Sequence, residues 1–387
     1  MVEQVVVIGG GIIGLSSALA LASSKISVTL ITREVPLPES EYQTSFQVCA
    51  VNRASENLLK YLDIWQSCQA IAYDSMQLKM PSGKPGFKFC ANECNEDNLG
   101  HIIVNDRLKS VLYQEVCRSK YIHVYQASLE SVDYQNGYWN IKADDGLELI
   151  SQVVIGADGK CSKLAQLLEW SYHTTHYKQF AHVALVKSHH SSHHAYQYFH
   201  PRGLIALLPL GGGHRWSMIM SLDEGDHMDI KDVQVLLKEG FEDDLGSMQV
   251  DKLSRFPLQG HHAHLYMKRG AYLVGDALHS IHPMAGQGMN LGLMDVAALV
   301  DVLTTVADWQ GREALAKYHY WRRGHNQLTY DAMDYFKFIF QAQAGPWAIL
   351  RDLGLPWFNQ SFCLKRQCAK IALGQVGRLP PLVRSGY

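Results

Sequence analysis

Three glycine-bearing turns carry the residue types that could do chemistry. They are Gly9-Gly10-Gly11-Ile12-Ile13-Gly14, Gly156-Ala157-Asp158-Gly159 and Gly275-Asp276-Ala277-Leu278-His279. A fourth run, His282-Pro283-Met284-Ala285-Gly286-Gln287-Gly288-Met289-Asn290, follows the third turn. Each turn comes directly after an apolar, strand-like stretch. The first turn and the fourth run open long helical patterns. Backbone N–H groups at such a helix start have no partner within the helix. They favour an anion or the electron-rich edge of a ring.

The elements that must position these residues are legible nearby. Val5-Val6-Val7-Ile8 is an apolar, β-branched run suited to a central parallel strand. Gly9, Gly11 and Gly14 then give the GxGxxG spacing, and residues 15–22 read as the helix. The first glycine permits the tight turn, the second lets backbone approach a pyrophosphate, and the third allows close helix–strand packing. At the end of a strand, before a helix, this spacing points to dinucleotide binding rather than a structural turn. A second strand is expected over residues 27–31. An acidic residue ordinarily ends it and binds the adenosine ribose. Here Thr32, Arg33 and Glu34 stand in its place. Either Glu34 reaches the ribose by a register change or Thr32 makes a neutral hydrogen bond. Classical NAD binding at this fold is correspondingly disfavoured. The strand at 153–155 delivers Asp158 to a position beside ribose or pyrophosphate, and the strand at 272–274 delivers Gly275 and Asp276.

The remaining pattern supplies a frame. Residues 43–52 read as an extended segment crossing the cofactor, and 54–65 as an amphipathic helix with Ser55 as N-cap. A hairpin is expected over 75–89, turning at 81–84, then a polar loop at 91–99, a helix at 106–120 and a strand at 123–132. A second hairpin turns at Asp144-Asp145-Gly146. Strands at 181–187, 195–200, 203–209 and 215–221 predict a mostly antiparallel sheet covering the cofactor. Helices are expected at 230–245, 295–303, 312–340 and 360–373, a strand at 253–258, and a break at 345–355 around Pro346 and Pro356.

Composition bounds the answer. The chain has 387 residues, enough for two or three domains, with 47% hydrophobic and 19% charged residues. A net charge of -2 gives no nucleic-acid footprint. The eight cysteines form no CxxC pair, so zinc and thioredoxin-like readings have no support, and reduced thiols in a cytoplasmic protein are expected. Residues 5–22 are apolar but hold four glycines and lack a charged start, which disfavours a signal or a membrane span. His189-His190-Ser191-Ser192-His193-His194 is expected to be a solvated hairpin tip, and His261, His262 and His264 equally give no metal site. His279 and His282 are expected to orient or pack more than to act as bases.

The three turns in this order, together with residues 282–295, resemble the flavin aromatic hydroxylases. More narrowly the chain resembles the UbiH/UbiI/UbiF family of ubiquinone-biosynthesis monooxygenases. The run His282-Pro283-Met284-Ala285-Gly286-Gln287-Gly288-Met289-Asn290-Leu291-Gly292-Leu293-Met294-Asp295 carries that likeness. Residues 48–62, 99–105, 203–210 and 350–355 extend it across nearly the whole chain. The resemblance implies an α/β fold: a Rossmann-like FAD-binding domain of the para-hydroxybenzoate hydroxylase type, with an inserted mixed, mostly antiparallel substrate sheet and C-terminal helices. The expected division is 1–74, 101–176 and 268–340 for FAD binding, 75–100 and 177–267 for substrate, and 341–387 as a helical segment.

The same resemblance implies roles. Gly9, Gly11 and Gly14 would face the FAD pyrophosphate, with Glu34, Gln47 and Asp158 elsewhere along the cofactor. Gly275 and Asp276 would meet the ribityl chain. Gly286, Gln287, Gly288 and Met289 would set backbone N–H groups at the flavin pyrimidine edge, and Asn290 would add a side-chain contact. Pro283, with His282 and Gly286, would border the reacting position. NAD(P)H would be the co-substrate, and an oxygen atom of O2 would go to a polyprenylated phenol.

Three positions depart from the family pattern: Thr32 for an acid, Gln47 for an arginine, and Ala165 for the arginine that closes the run begun at Asp158. They motivate an alternative, a flavin-poor scaffold subunit of a ubiquinone-biosynthesis complex. A hydroxylase of another aromatic compound is a third reading, and a homo-oligomer stays open. From residue 345 onward six cations face one acid, with aromatic residues interleaved. This segment reads either as a helical layer on the FAD domain or as a peripheral contact with the inner face of a membrane or with a partner.

Overall fold

The computed structural model describes residues 2–36, 46–80, 86–225, 228–281, 286–341 and 345–384. The chain begins with β1 (Val2–Ile8), α1 (Ile12–Ser23) and β2 (Val28–Thr32). β1 is apolar throughout its second half because it is covered on both faces. Val5, Val6 and Val7 have no exposed surface. Then come β3 (Val48–Val51) and α2 (Arg53–Tyr61). The cap of α2 is Asn52, whose side chain accepts from Ser55 N, so the cap lies three residues before the expected Ser55.

Next are β4 (Ile71–Ala72), β5 (Ser75–Lys79), β6 (Phe87–Cys90), β7 (His101–Val104) and α3 (Asn105–Arg118). The turn expected at 81–84 lies outside the described residues, but β5 and β6 pair antiparallel as a hairpin requires. The single strand expected at 123–132 is two, β8 (Ile122–Gln126) and β9 (Leu129–Gln135). After β9, β10 (Tyr138–Ala143) and β11 (Glu148–Gly156) flank the Asp144-Asp145-Gly146 turn, and α4 (Lys163–Leu167) follows.

The second half holds β12 (Tyr172–Ser188), β13 (Ala195–His200), β14 (Gly203–Pro209), β15 (Arg215–Asp223), α5 (Ile230–Leu245) and β16 (Met248–Ala263). β12 and β16 pair antiparallel from Tyr172↔Ala263 to Ser188↔Met248, far beyond the short strands expected. Their outer ends are polar and half-exposed, so hydrophobic alternation does not mark them. β17 (Met267–Lys268), β18 (Ala271–Leu273) and β19 (His279–Ser280) then lead to the helical C-terminal part. It consists of α6 (Gln287–Thr305), α7 (Arg312–Leu315), a π-helical turn at Ala316–Tyr320, α8 (Trp321–Gln341), α9 (Pro346–Gln360) and α10 (Phe362–Ala372).

Three sheets result. The first runs β17-β18-β11-β1-β2-β8, with β1 parallel to β2 and β11, and with β10 and β9 turned off β11. Helix α1 packs on β1, β2 and β8, and α3 and α6 pack on α1. The second runs β19-β16-β12-β15-β14-β13-β5-β6 and is antiparallel apart from the β13–β5 pair. The third is small, β3-β7-β4. The break expected at 345–355 is instead helix α9. Pro346 occupies its first turn, where the missing N–H costs nothing, and Pro356 is accommodated inside it.

Candidate active site

The β1–α1 turn is built by close approach. A Cβ on Gly14 would lie 1.9 Å from Gly9 O, and one on Gly9 would lie 2.5 Å from Ala157 O. Gly9 also has φ +112°, a region that suits glycine. Gly11 is different, since a Cβ there would meet nothing within 4 Å. It caps α1 without a side-chain bond, and the first turn of α1 holds no acid, so its free N–H groups face open space. That space is a cleft of about 500 Å³. Its lining includes Gly9, Gly11, Thr32, Glu34, Lys109 and Asp158.

Both candidates at the end of β2 therefore reach the cleft. Thr32 is buried, donates from Oγ1 to Glu34 O at 3.1 Å, and fills the place where a Cβ on Gly10 would sit. Glu34 is exposed, with Lys109 Nζ 3.9 Å from its carboxylate. Arg33, just after β2, lines the cleft, and Lys109 and Lys163 supply further cations that motif reading did not find, because α3 and α4 bring them there from separate parts of the chain.

Asp158 has two tasks. Its Oδ2 accepts from Lys163 N at 2.6 Å and Leu164 N at 3.4 Å, holding the start of α4. Its Oδ1 is buried without a partner among the described residues, although Asp158 lines the cleft. A buried acceptor left unpaired costs about 1–3 kcal/mol, so a donor from a bound group fits there. The open floor at Gly11, the free start of α1 and this acceptor together suit the pyrophosphate and sugar of a dinucleotide. Ala165 is buried on α4, with its N–H donating to Ser162 Oγ. Gln47 is exposed just before β3, and its carbonyl accepts from Asn105 N at 3.0 Å.

The third turn is held by a network that the motif did not show. Asp295, with no exposed surface, accepts from Gly275 N at 3.2 Å, His279 Nε2 at 2.6 Å, Arg322 Nε at 2.8 Å and Asn326 Nδ2 at 3.3 Å. Burial alone pushes its carboxyl up. The charges and hydrogen bonds of His279 and Arg322 outweigh that and hold it well below the usual carboxylate range. Asn326 continues to the Tyr266 hydroxyl at 3.3 Å, which bonds His262 Nε2. His279 is thus an orienting residue, as expected, and His262 belongs to the same network. Asp276 projects its side chain outward, while its carbonyl accepts from His261 Nε2 at 2.8 Å.

The fourth run enters α6 at Gly286, which has φ +61° and would set a Cβ 3.2 Å from Ala50 Cβ. His282, Pro283, Met284 and Ala285 lie outside the described residues, so the reacting-position expectation for His282 and Pro283 falls there. Gln287, Gly288 and Met289 form the first turn of α6, half-buried, with no acid and no side-chain cap. Asn290, expected to add a side-chain contact to the cofactor, is bonded within the protein. Its Oδ1 accepts from Asn52 N at 3.0 Å and its Nδ2 donates to Ala50 O at 2.8 Å, so the amide ties α6 to β3 and to the cap of α2. It positions the site from within the protein.

The histidine run does not form a hairpin tip. β12 and β13 are not neighbours in the sheet, and residues 189–194 connect them. His189 N and His190 N donate to Ser247 O and Leu245 O, while His194 Nδ1 lies 2.9 Å from Asp74 Oδ1 and 2.7 Å from Ser75 Oγ. Among the described residues no cluster has the composition of a metal site.

A parallel sheet ending in a dinucleotide cleft, joined to a large antiparallel sheet and C-terminal helices, is the architecture of FAD-dependent monooxygenases of the para-hydroxybenzoate hydroxylase type. The p-nitrophenol 4-monooxygenase PnpA from Pseudomonas putida DLL-E4 superposes with a TM-score of 0.82 at 17% identity, covering 98% of this chain and 99% of that one. The chain belongs to the FAD binding domain family, whose model matches residues 3–332. It is 29% identical to the 3-demethoxyubiquinol 3-hydroxylase of Escherichia coli, over 96% of this chain and 98% of that protein. It is 28% identical to the ubiquinone hydroxylase UbiL of Rhodospirillum rubrum, over 100% of this chain and 93% of that protein.

Proposed function

We propose that this chain is an FAD-dependent monooxygenase that uses NAD(P)H and O2 to hydroxylate the aromatic ring of a polyprenylated phenol in ubiquinone biosynthesis. The observation that carries this reading is the cleft at the start of α1, with Gly11 open and Asp158 Oδ1 unpartnered among the described residues, in a chain matched nearly end to end by ubiquinone hydroxylases. When bound, FAD supplies the acceptance of electrons from NAD(P)H and the activation of dioxygen. The chain's own residues do the rest. The first turn of α1 holds the pyrophosphate, and Asp158 accepts from a sugar hydroxyl. Asp276 meets the ribityl chain. The first turn of α6 stabilises negative charge at the ring edge. The second sheet keeps water from the reacting position. We assign cofactor binding to residues 1–74, 101–176 and 268–340 and substrate contact to 75–100 and 177–267, with 341–387 as a helical segment. The entry of β5 and β6 into the second sheet supports that division. We place the protein in the cytoplasm, working with a lipid-borne substrate.

Purified protein should be yellow, or turn yellow with FAD, and should oxidise NAD(P)H faster when substrate is added. Protein that stays colourless with FAD overturns this reading in favour of a scaffold subunit. The cations Arg33, Lys109 and Lys163 line the cleft, where they suit an anionic pyrophosphate, and so weigh against that alternative. Complementation of strains lacking each ring hydroxylase, with quinone intermediates identified by mass, assigns the ring position.

A further inference from the structure

Among the described residues, the acids that line the cleft are Glu34 and Asp158. The strand order puts them on opposite sides of the β1–α1 turn. β11, which leads to Asp158, flanks β1 on one side, and β2, which leads to Glu34, flanks it on the other. Gly275 follows β18, which lies beyond β11. The ring half of the cofactor therefore belongs on the β11 side. The adenosine half falls on the β2 side, where Ala127, Ser128 and Leu129 after β8 close the cleft.

An acid at the end of β2 ordinarily reaches the 2′-hydroxyl of the adenosine ribose. Thr32 stands there, and its polar groups are engaged within the protein. Its Oγ1 donates to Glu34 O at 3.1 Å and its carbonyl accepts from Ala127 N at 3.0 Å. A Cβ on Gly10 would collide with Oγ1, so the buried hydroxyl lies under the Gly10 backbone. It also sits on Cβ, two carbons short of where a glutamate would carry its carboxylate. The bond that occupies Thr32 fixes the backbone at Glu34. Lys109 of α3 lines the cleft and brings Nζ to 3.9 Å from the Glu34 carboxylate. Such a pair adds little to stability. It does set direction, because the Lys109 side chain is 25% exposed and that of Glu34 is 76% exposed. The better-anchored cation draws the carboxylate toward the cleft. A carboxylate is an acceptor only, and a ribose hydroxyl that donates to it makes a charge-assisted bond. Asp158 does not serve this end, since it lies across the turn and its Oδ2 holds the start of α4.

We propose that Glu34, oriented by Lys109, recognises the 2′-hydroxyl of the adenosine ribose, so that the acid has moved from the last residue of β2 to the turn beyond it. Glu34 touches the cofactor, and Lys109 positions Glu34. This rests on the reading of the cleft as the FAD site, and it holds whatever aromatic substrate the enzyme takes.

The test is fluorimetric titration of the full-length, FAD-free protein with FAD and with the FAD analogue whose adenosine ribose lacks the 2′-hydroxyl. This readout requires no turnover. Wild-type protein should bind FAD about tenfold more tightly than the 2′-deoxy analogue, as one hydrogen bond to a charged group allows. Glu34→Ala should weaken FAD by about the same factor and leave the analogue nearly unaffected, so that the two bind alike. Lys109→Met should narrow the ratio in the same direction, and should weaken both forms by removing a cation from the pyrophosphate. A residue with a merely structural role would shift both affinities and leave their ratio as it is. Thermal melts check that each variant is folded, and Glu34→Gln replaces Glu34→Ala if its midpoint drops. The proposal is overturned if wild-type protein binds the two forms alike, or if the folded Glu34 variant keeps the wild-type ratio. In either case FAD still binds and the reading of the cleft stands. Wild-type protein that binds neither form overturns both.

Discussion

Gly11 and Gly14 sit three residues apart and answer to different constraints. A Cβ on Gly14 would be driven into the Gly9 carbonyl, so the need for glycine is internal. A Cβ on Gly11 would meet only open space, and Gly11 has φ -75° and ψ 175°, which any residue adopts. Its need for glycine must come from what enters the cleft. Gly11→Ala should leave the thermal midpoint of the FAD-free protein unchanged, within about 0.5 kcal/mol. It should weaken FAD binding by about tenfold, because a methyl group intrudes where the pyrophosphate approaches the backbone. Gly14→Ala should destabilise the FAD-free protein by about 1–3 kcal/mol through overpacking. Fluorimetric FAD titration beside thermal melts separates the two effects. Equal FAD affinity in Gly11→Ala and wild type would remove α1 from the cofactor site.

At the scale of elements, the site is a set of junctions. Asp295 near the middle of α6 holds the end of β18 through Gly275 N, β19 through His279, and α8 through Arg322 and Asn326. The π-helical turn before α8 adds another tie, Tyr318 donating to Leu273 O at 2.8 Å. Such a turn shifts the helix register locally, and here Tyr318 reaches the sheet while Arg322 reaches Asp295 on α6. Replacing Asp295 by Asn keeps the shape but leaves the Arg322 guanidinium buried without its counter-charge. Asp295→Asn should cost about 3–5 kcal/mol, read as a fall in the urea or thermal midpoint. A loss below about 1 kcal/mol would mean that Arg322 finds another partner and that Asp295 is not the hinge of these elements. Asn290 makes the corresponding junction between α6 and β3.

For the whole molecule, burial holds His262 of β16 and His325 of α8 neutral in the neighbourhood of Asp295. Burial pushes His262 down to about 4, with the neighbouring His279 adding to the effect, and burial likewise lowers His325 to about 4. An unfolded histidine titrates near 6.5, so between about pH 6.5 and 4 the unfolded chain binds more protons than the folded one. Stability from His262 is therefore complete above about pH 6.5 and is lost as the pH falls toward 4. The loss amounts to on the order of 3 kcal/mol. The thermal midpoint of wild-type protein should fall across this window, and His262→Gln should show a shallower slope. Parallel slopes would place the acid sensitivity elsewhere. Glu56 acts at lower pH. Burial would raise its carboxyl, but hydrogen bonds from His101 and Lys60 and the charge of Arg53 outweigh that and bring it to about 2. Its contribution is complete above about pH 4.5 and is lost as the pH falls toward 2.

The sequence by itself determined the local parts of this protein. Gly9 to Gly14, Asp158, Gly275 and the helix start at Gly286 were legible because turn, cap and helix-start chemistry depends on a few adjacent residues. The antiparallel sheet and α5 were legible from hydrophobic period. Tertiary structure alone decided the rest. Arg322 and Asn326 lie some thirty residues from Asp295 and share no motif with it, yet burial without water forces them together. Lys109 reaches the cleft only because α3 packs beside α1. Asn290, which looks like a ligand contact in a motif, is consumed by Ala50 and Asn52 once β3 abuts α6. The C-terminal charge excess reads as six cations against one acid, but folding buries Lys365 on Glu93 and Arg351 beside Asp352. Which charges and which apolar side chains remain for solvent is set by packing between distant segments, and no local pattern encodes it.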